Sequence, residues 1–243
     1  MGRKGPTRHL KRHVSPTFWA LHRKEKTWAV RTSSGPHTLG TSIPVSVILR
    51  DVLKYATTGR EAKMIVKQGK VKVDGKARLD ERFPVGLMDV ITLPDTGESY
   101  RVLPEKGSRL ILNPIKSDEA SFKLCQITGK NILPNGVVQL QMHDGRTINV
   151  QPDGPYKVND VVKLKVPEQE ILGHIAFKEK IQSIITGGRS QGETGLIVGL
   201  GSEPGRKRTA TVRTSKGEDI RTLAKYVFPL GTETSMISLP GEA

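Results

Sequence analysis

The chain has 243 residues, 35% of them hydrophobic, and carries a formal net charge of +15. A charge of this size favours a polyanionic partner, either nucleic acid or an anionic membrane surface. No apolar run approaches the roughly 20 residues that span a bilayer, so the membrane alternative is weak. The single cysteine, Cys125, excludes an intrachain disulfide and a cysteine-rich zinc site, and a reducing, cytosolic setting fits best.

The positive charge lies mainly towards the two ends of the chain. Residues 1–42 hold nine Lys/Arg against one acid, and residues 171–225 hold ten against five. The part between them is closer to neutral. Residues 43–104 hold eleven Lys/Arg against eight acids, and residues 105–170 hold nine against eight. The tail from residue 226 holds two acids and no Lys/Arg. This distribution indicates several modules that bind one polyanion, rather than one uniformly basic domain.

Residues 1–42 are predicted to form an extended basic arm, because glycines and prolines interrupt every regular pattern. Phe18, Trp19 and Trp28 are interleaved with its cations. Aromatic side chains in a basic arm can stack on RNA bases, and we hypothesise that the arm orders fully only on RNA. The alternative is that the three aromatic side chains pack the arm onto the rest of the protein.

Two helices and a hairpin are predicted next. The apolar spacing from Val45 to Ala56 predicts a helix over 44–56, with Arg50 and Lys54 on its opposite side. Thr58 and Glu61 have capping-box spacing and begin a second helix, which Gly69 ends. Strands are predicted at 71–73, 77–79 and 90–93, and Asp74-Gly75 is a strong signal for a two-residue hairpin turn.

The second helix carries a row of cations, Arg60, Lys63 and Lys67, on one face. Two short helices, then Arg-Glu-Ala, an apolar helix and the segment GKVKVDGK resemble the S-four RNA-binding domain. The resemblance covers about residues 43–95, and the domain is placed at 43–104. It implies RNA binding, but the same module occurs in synthetases, modification enzymes and ribosomal proteins.

The remainder is predicted to be all-β. Residues 105–170 contain short alternating strands around Asn135-Gly136 and are assigned to a central barrel-like module, in which Cys125 is a small buried hydrophobe. In 171–228, the glycine-rich segment from Ile184 to Val198 resembles the KOW motif, which implies an SH3-like barrel. A generic small barrel with structural glycines is the alternative. The fold class is thus a multi-module α+β and all-β chain, and the tail 229–243 matches no motif.

The order of these modules, with the N-terminal segments GRKGPTRHLKR and PTFW, resembles the S-four-e family of small-subunit ribosomal proteins over nearly the whole chain. The resemblance implies a structural, non-catalytic role in binding and folding ribosomal RNA. The implied partners are small-subunit rRNA and neighbouring ribosomal proteins in the cytoplasmic ribosome. A cofactor, a metal ion, a small-molecule substrate, a membrane and a homo-oligomer are not expected.

The sequence leaves two other functions open. One is an RNA-modifying enzyme like the pseudouridine synthases, because Arg78-Leu79-Asp80 repeats a triplet of their catalytic motif. Asp80 falls within the S-four-like module here, so we interpret it as a turn residue. The other is a KOW-type translation factor that binds transiently.

The predicted RNA contacts are the basic and aromatic side chains of the arm, the S-four-like module and the KOW-like module. They are Arg3, Lys4, Arg8, Lys11, Arg12, Phe18, Trp19, Arg23, Lys24, Trp28, Arg31, Arg50, Lys54, Arg60, Lys63, Lys67, Lys70, Lys72, Arg189, Arg206, Lys207 and Arg208.

Overall fold

The protein is built mostly of antiparallel β-strands, with little helix. The structure, a computed structural model, describes residues 9–107, 109–134, 136–152, 154–201, 208–232 and 234–240. Its helices are α1 (Val45–Val47), which a π-helical turn continues over Ile48–Val52, and α2 (Gly59–Lys67). Short 3-10 turns lie at Arg12–Val14, Leu39–Thr41, Glu119–Ser121 and Ala224–Tyr226.

The strands are numbered in chain order. They are β1 (Leu10–Lys11), β2 (Trp28–Ala29), β3 (Ser42–Pro44), β4 (Lys72–Val73), β5 (Lys76–Ala77), β6 (Pro84–Gly86), β7 (Val90–Leu93), β8 (Glu98–Glu105), β9 (Arg109–Ile115), β10 (Phe122–Ile132), β11 (Val138–Met142), β12 (Thr147–Val150), β13 (Val161–Lys165), β14 (Ile171–Ile175), β15 (Gln182–Ile185), β16 (Thr194–Gly201), β17 (Thr209–Thr214), β18 (Asp219–Leu223) and β19 (Val227–Gly231).

The first sheet has the order β5-β4-β7-β8-β9. Its opening hairpin confirms the turn predicted at Asp74-Gly75, because both residues have positive φ, 51° and 75°. Positive φ at both central residues is the geometry that matches the twist of a two-residue hairpin. The strand predicted at 90–93 is confirmed, whereas the hairpin strands are shorter than predicted. The sheet continues beyond residue 104, the predicted end of the S-four-like module, because β8 contains this residue and pairs with β9 in a hairpin.

The first helix is shorter than predicted. It ends at Val52 instead of continuing to residue 56, and Lys54 has a left-handed φ of 61°. The cause is a wide turn, in which the N–H of Leu53 bonds the carbonyl of Ile48, five residues back. Val52, the last residue of this turn, is 37% exposed although the apolar spacing places it on the core side. Apolar spacing alone does not distinguish this turn from a regular α-helix.

Two further five-stranded sheets confirm that the remainder is all-β. The central sheet has the order β12-β11-β10-β13-β14. The C-terminal sheet has the order β18-β17-β16-β15-β19. Cys125 is buried in the core of the central sheet, as predicted.

The segment after β19 is part of the folded protein, although its sequence matches no motif. Ile237 and Leu239 are buried in a core cluster shared by the three sheets. Between them, the hydroxyl of Ser238 donates to Glu119 at 2.7 Å, and its carbonyl accepts from the Asn113 side chain at 2.9 Å. The described part of the tail is therefore held by apolar contacts and by hydrogen bonds to the first and central parts of the chain.

The arm is packed rather than extended over its described residues. β1 pairs with β2, and Leu10 and Trp19 are buried in the core cluster of α1, α2 and the first sheet. The indole N–H of Trp19 donates to the carbonyl of Ser42 at 2.8 Å. For Trp19, this arrangement supports the alternative that aromatic side chains attach the arm to the protein body.

A buried ion cluster joins the first sheet to the central sheet. Lys123 of β10 is fully buried, and its ammonium lies 3.0 Å from Asp74 and 2.9 Å from Asp144, and also contacts Asp89. Arg146 contacts Asp74 and lies 3.0 Å from Asp144. Asp74 and Asp89 belong to turns of the first sheet, whereas Asp144 and Arg146 belong to the turn between β11 and β12. The cluster therefore fixes one sheet against the other.

The cluster also sets the charge states of its members. Burial raises the pKa of Asp89, but the charges of Lys123 and His37 outweigh burial and hold that pKa below its usual value. The same competition, with Lys123 as the main opposing charge, lowers the pKa of Asp144 to about 2. Burial lowers the pKa of Lys123, but Asp89 and Asp74 outweigh burial and raise it well above its usual value. Asp89, Asp144 and Lys123 are therefore charged at neutral pH.

His143 lies beside the cluster and is neutral. Its Nδ1 accepts the backbone N–H of Gln126 at 3.1 Å, so its Nε2 carries the proton and donates to the carbonyl of Leu87 at 3.2 Å. Burial and then the charge of Lys123 lower the pKa of His143 from 6.5 to about 4. Between about pH 4 and 6.5, His143 is therefore neutral in the folded chain and protonated in the unfolded chain.

We predict that His143 makes the protein less stable as the pH falls from about 7 to 4. The unfolded chain binds a proton near pH 6.5 and the folded chain only near pH 4, so the stabilisation present above 6.5 is lost on acidification. Urea unfolding across this range measures the effect. In His143→Asn, whose amide oxygen can replace Nδ1 as an acceptor, the dependence on pH is expected to flatten. The exposed His22→Asn is the control, and equal slopes in the two variants would contradict the assignment.

Candidate nucleic-acid interface

Helix α2 presents three cations to solvent. Its start is fixed by the predicted capping box, in which the Glu61 backbone N–H donates to the Thr58 hydroxyl at 3.2 Å and the Glu61 carboxylate accepts the Thr58 N–H. Arg60, Lys63 and Lys67 are all exposed, while Ala62 and Val66 face the core. The apolar periodicity of the sequence therefore correctly predicts which face of α2 exposes its cations to solvent.

A cleft of about 280 Å³ lies between the arm and α2. The arm supplies Trp28 and Arg31, the first helix supplies Arg50, and α2 supplies Lys63. Arg82, from the turn before β6, also lines it. Two acids offset some of this charge, because Glu81 lies 3.3 Å from Lys63 and Asp51 lies 2.7 Å from Arg50. The cleft remains predominantly cationic, and a phosphate is the ligand that such a set of donors binds.

Trp28 provides an aromatic surface at the margin of this cleft. The side chain is 56% exposed, and its ring centroid lies 5.5 Å from that of His9. β-pairing with Lys11 in β1 holds the backbone of Trp28 in place. An exposed, positioned indole beside cations is the arrangement on which an unpaired base stacks.

A second group of arm cations surrounds the connection between the 3-10 turn and β2. Arg23 donates to the carbonyls of His13 and Ser15 at 3.2 and 3.3 Å, so its guanidinium also holds the arm together. Lys11 and Lys24 are exposed and line a shallow depression with Arg23. The structure therefore brings several predicted arm residues to one side of the chain.

Two predicted contacts face the protein interior. Arg12 is 4% exposed and donates to Glu25 at 3.2 Å, and Trp19 is also 4% exposed. The arm folds over both side chains, so these two predicted RNA contacts are buried in the folded chain. Phe18 is half-buried and packs against the same core cluster.

The other predicted residues are dispersed. Lys54 and Lys72 are exposed around the first sheet, where Lys70 lies 2.9 Å from Asp95. Arg189 and Arg208 are exposed in the C-terminal unit, the part of the chain from β15 to β19 that forms the C-terminal sheet. The remaining predictions lie outside the described residues: Arg3, Lys4, Arg8, Arg206 and Lys207.

Arg82 and His9 join the cleft without having been predicted. Arg82 is separated by 19 residues from Lys63 in the sequence, and it enters the cleft because the turn before β6 packs beside α2. His9 reaches it through the ring contact with Trp28. No periodicity in the sequence connects either of them to α2.

Asp80 is a turn residue, as predicted. Its carboxylate accepts the backbone N–H of Arg82 at 2.9 Å, and its carbonyl accepts the N–H of Phe83 at 3.1 Å. These bonds shape the connection that leads into β6. Asp80 therefore has a role that aspartate often has in turns, where its carboxylate accepts a hydrogen bond from the backbone N–H two residues later.

Cys125, His143 and Asp144 place their possible ligand atoms within 4.8 Å of one another. This group does not suit a metal ion, because the Lys123 ammonium lies 2.9 Å from Asp144 and both nitrogens of His143 are hydrogen-bonded. Burial also raises the pKa of the Cys125 thiol well above its usual value, so the thiolate that binds metals is disfavoured. Within the described residues, no helix is long and apolar enough to cross a membrane.

Comparison with known proteins gives matches along most of the chain. Residues 96–171 match the family described as Ribosomal family S4e, residues 4–40 match the RS4NT (NUC023) domain, and residues 47–91 match the S4 domain.

Full-length relatives are similar over nearly their whole length. Small ribosomal subunit protein eS4 of Methanothermobacter thermautotrophicus is 46% identical over 235 residues, 96% of each chain. Its namesake from Desulfurococcus amylolyticus is 40% identical over 99% of this chain and 98% of its own. The crystal structure of the 30S ribosomal protein S4e from Thermoplasma acidophilum matches with a TM-score of 0.70 and 35% identity, over 81% of this chain and 99% of that chain.

We predict that the two tryptophans differ sharply in their contribution to stability. Trp19→Ala removes a buried indole and its hydrogen bond, so the free energy of unfolding should fall by about 3–5 kcal/mol. Trp28→Ala changes an exposed side chain and should alter that free energy by less than about 0.5 kcal/mol. Urea unfolding of the two variants measures both values, and comparable losses would show that the burial assigned to the arm is incorrect.

Proposed function

Because the chain belongs to the eS4 family of small ribosomal subunit proteins, we propose that it is a structural constituent of that subunit, where it binds ribosomal RNA and supports its folding. The relatives are named as ribosomal subunit proteins, which supports a non-catalytic role. Its proposed location is the cytoplasmic ribosome. The function requires no cofactor, metal or small-molecule substrate.

The observation that carries this proposal is the cationic cleft between the arm and α2. Arg31, Arg82 and Lys63 reach it from three separate segments, beside the exposed indole of Trp28. Each phosphate that such a cation neutralises releases condensed counterions, which favours binding at low salt. The indole offers a stacking surface for an unpaired base, the form in which RNA sequence is most accessible. The cleft thus combines the two interactions that RNA recognition needs.

The proposed RNA contacts are the exposed members of the predicted set. In the arm these are Lys11, Arg23, Lys24, Trp28 and Arg31. In the S-four-like module they are Arg50, Lys54, Arg60, Lys63, Lys67, Lys70 and Lys72. In the C-terminal unit they are Arg189 and Arg208. Arg3, Lys4, Arg8, Arg206 and Lys207 are retained as proposals from the sequence alone.

We further propose that the C-terminal unit is the KOW-like module with an SH3-like barrel. Five antiparallel strands and the glycine-rich connection from β15 to β16 support this assignment. The division into an arm (1–42), an S-four-like module (43–104), a central module (105–170), a KOW-like module (171–228) and a tail (229–243) is proposed with it. Neighbouring ribosomal proteins are the proposed protein partners, and the chain acts as a monomer.

We predict that the triple substitution of Arg60, Lys63 and Lys67 by Ala weakens binding to small-subunit rRNA by at least about tenfold without unfolding the protein. All three side chains are exposed, so the core is untouched. The salt slope of binding should become shallower by about 2–3, since each lost phosphate contact contributes roughly 0.7–0.9. Filter binding of the full chain to transcribed rRNA at several KCl concentrations measures both effects.

A matched control removes the same charge from another surface. Lys130, Lys157 and Lys178 are exposed and lie outside the cleft and α2. Their replacement by Ala should weaken binding much less. If the two triple variants lost affinity and salt slope equally, net charge rather than the face of α2 would account for binding, and the proposed interface would be rejected.

A further inference from the structure

Ser46 has a buried hydroxyl beside the cleft between the arm and α2. The residue lies in α1, lines the cleft and is only 4% exposed. Its Oγ is buried, and no group in the described part of the chain forms a hydrogen bond with it. A buried hydroxyl without a partner destabilises a fold, so its presence in a folded protein calls for an explanation. A ligand that enters the cleft would supply the missing hydrogen bond.

The backbone of Ser46 is held on both sides. Its N–H donates to the carbonyl of Glu81 at 3.1 Å, and the N–H of Val45 donates to the carbonyl of Phe83 at 3.1 Å. Val45 and Val47 are both buried in the core cluster of α1, α2 and the first sheet. Ser46 therefore has a fixed position beside the cleft before any ligand arrives, which lowers the entropy cost of binding through its side chain.

Groups that can only donate hydrogen bonds lie on the same side of the cleft. Arg50, four residues after Ser46, also lines the cleft. Asp51 accepts from the Nε and Nη2 of Arg50 at 3.0 and 2.7 Å. The remaining guanidinium nitrogen, Nη1, lies 3.5 Å from where a Cβ at Gly59 would be, so it reaches the start of α2. The first N–H groups of a helix have no intrahelical partner. These donors suit a phosphate, whose oxygens accept hydrogen bonds.

Ser46 offers a different chemistry. Among the described residues that line the cleft, it is the only one with a hydroxyl group. A hydroxyl can both donate and accept, whereas guanidinium and ammonium groups only donate. The ribose 2′-hydroxyl of RNA also donates and accepts, so the two hydroxyls can satisfy each other. A phosphate that only accepts would leave the accepting side of the Ser46 hydroxyl without a partner.

We propose that Ser46 determines the specificity of the cleft for RNA over DNA, because its hydroxyl forms a hydrogen bond with a ribose 2′-hydroxyl. The proposal rests on the RNA-binding function given above and adds a contact to it. One nucleotide then places its base on Trp28, its phosphate near Arg50 and the start of α2, and its sugar at Ser46. The cleft contacts all three parts of a ribonucleotide, and Ser46 supplies the contact that distinguishes RNA from DNA.

Nucleotide-analogue interference with Ser46→Ala tests this proposal. Small-subunit rRNA is transcribed with phosphorothioate-tagged 2′-deoxynucleotides at random positions, and the full chain selects the transcripts that it binds. RNA bound by the unaltered chain should be depleted of 2′-deoxynucleotides at the position that Ser46 contacts. With Ser46→Ala this depletion should disappear, because the variant has no hydroxyl that distinguishes the two sugars. Transcripts tagged with phosphorothioate ribonucleotides report contacts to phosphates separately.

Two further readouts separate this role from a structural one. Affinity of Ser46→Ala for unmodified rRNA should fall about two- to tenfold, the effect of one lost hydrogen bond, and the salt slope should stay unchanged because no charge is removed. The urea midpoint should stay the same or rise, because the variant removes a buried hydroxyl that has no partner in the free protein. Ser117→Ala, at an exposed serine outside the cleft, is the matched control and should bind and unfold like the unaltered chain.

If Ser46→Ala kept the 2′-deoxynucleotide depletion of the unaltered chain, the proposal would be overturned while the cationic cleft remained. Loss of a phosphorothioate effect in place of a 2′-deoxynucleotide effect would also overturn it, because the hydroxyl would then bind a phosphate. A lowered urea midpoint would overturn it by showing that Ser46 has a structural partner within the protein. Failure of the unaltered chain to bind the rRNA would instead overturn the RNA-binding function together with this proposal.

Discussion

One buried ammonium group, on Lys123, joins the first sheet to the central sheet, beside the apolar core that the two sheets share with the C-terminal sheet. Its three carboxylate partners come from two turns of the first sheet and one turn of the central sheet. A fully buried charge is costly unless every partner is present, so only one relative position of the two sheets satisfies the cluster. Arg146 and His37 complete its outer contacts. The relative position of the first and central sheets depends on this constraint, together with their shared apolar core.

A fixed arrangement of sheets has a consequence for binding. The arm is packed onto the first sheet through Trp19, and the tail is fixed to the central part through Glu119. In the proposed function, the cleft beside α2 and the cations of the C-terminal unit therefore meet one folded RNA from a single body. Contacts that are held in register before binding cost less entropy than contacts on flexibly linked modules. In this proposal, the buried ion cluster of Lys123 helps to position an RNA-binding surface that it does not contact.

Local features could be predicted from the sequence, and features that join distant residues could not. The capping box at Thr58 and the turn at Asp74-Gly75 depend on neighbours within four residues, and both are present. The burial of Lys123 depends on partners 34 and 49 residues away, and a lysine is among the residues least often buried. Trp19 and Trp28 look alike in sequence, yet one is in the core and the other faces the cleft. The basic face of α2 followed from periodicity, whereas Arg82 enters the cleft only through the fold.

The free energy of unfolding of Lys123→Met tests most directly whether the buried ammonium fixes the sheets. Lys130→Met, on the same strand but exposed, is the matched control. Removal of the Lys123 charge leaves buried carboxylates without their partner, so urea unfolding should show a loss of about 3–5 kcal/mol. The control should lose less than about 0.5 kcal/mol. If Lys123→Met were as stable as Lys130→Met, the ion cluster would not be what holds the sheets together.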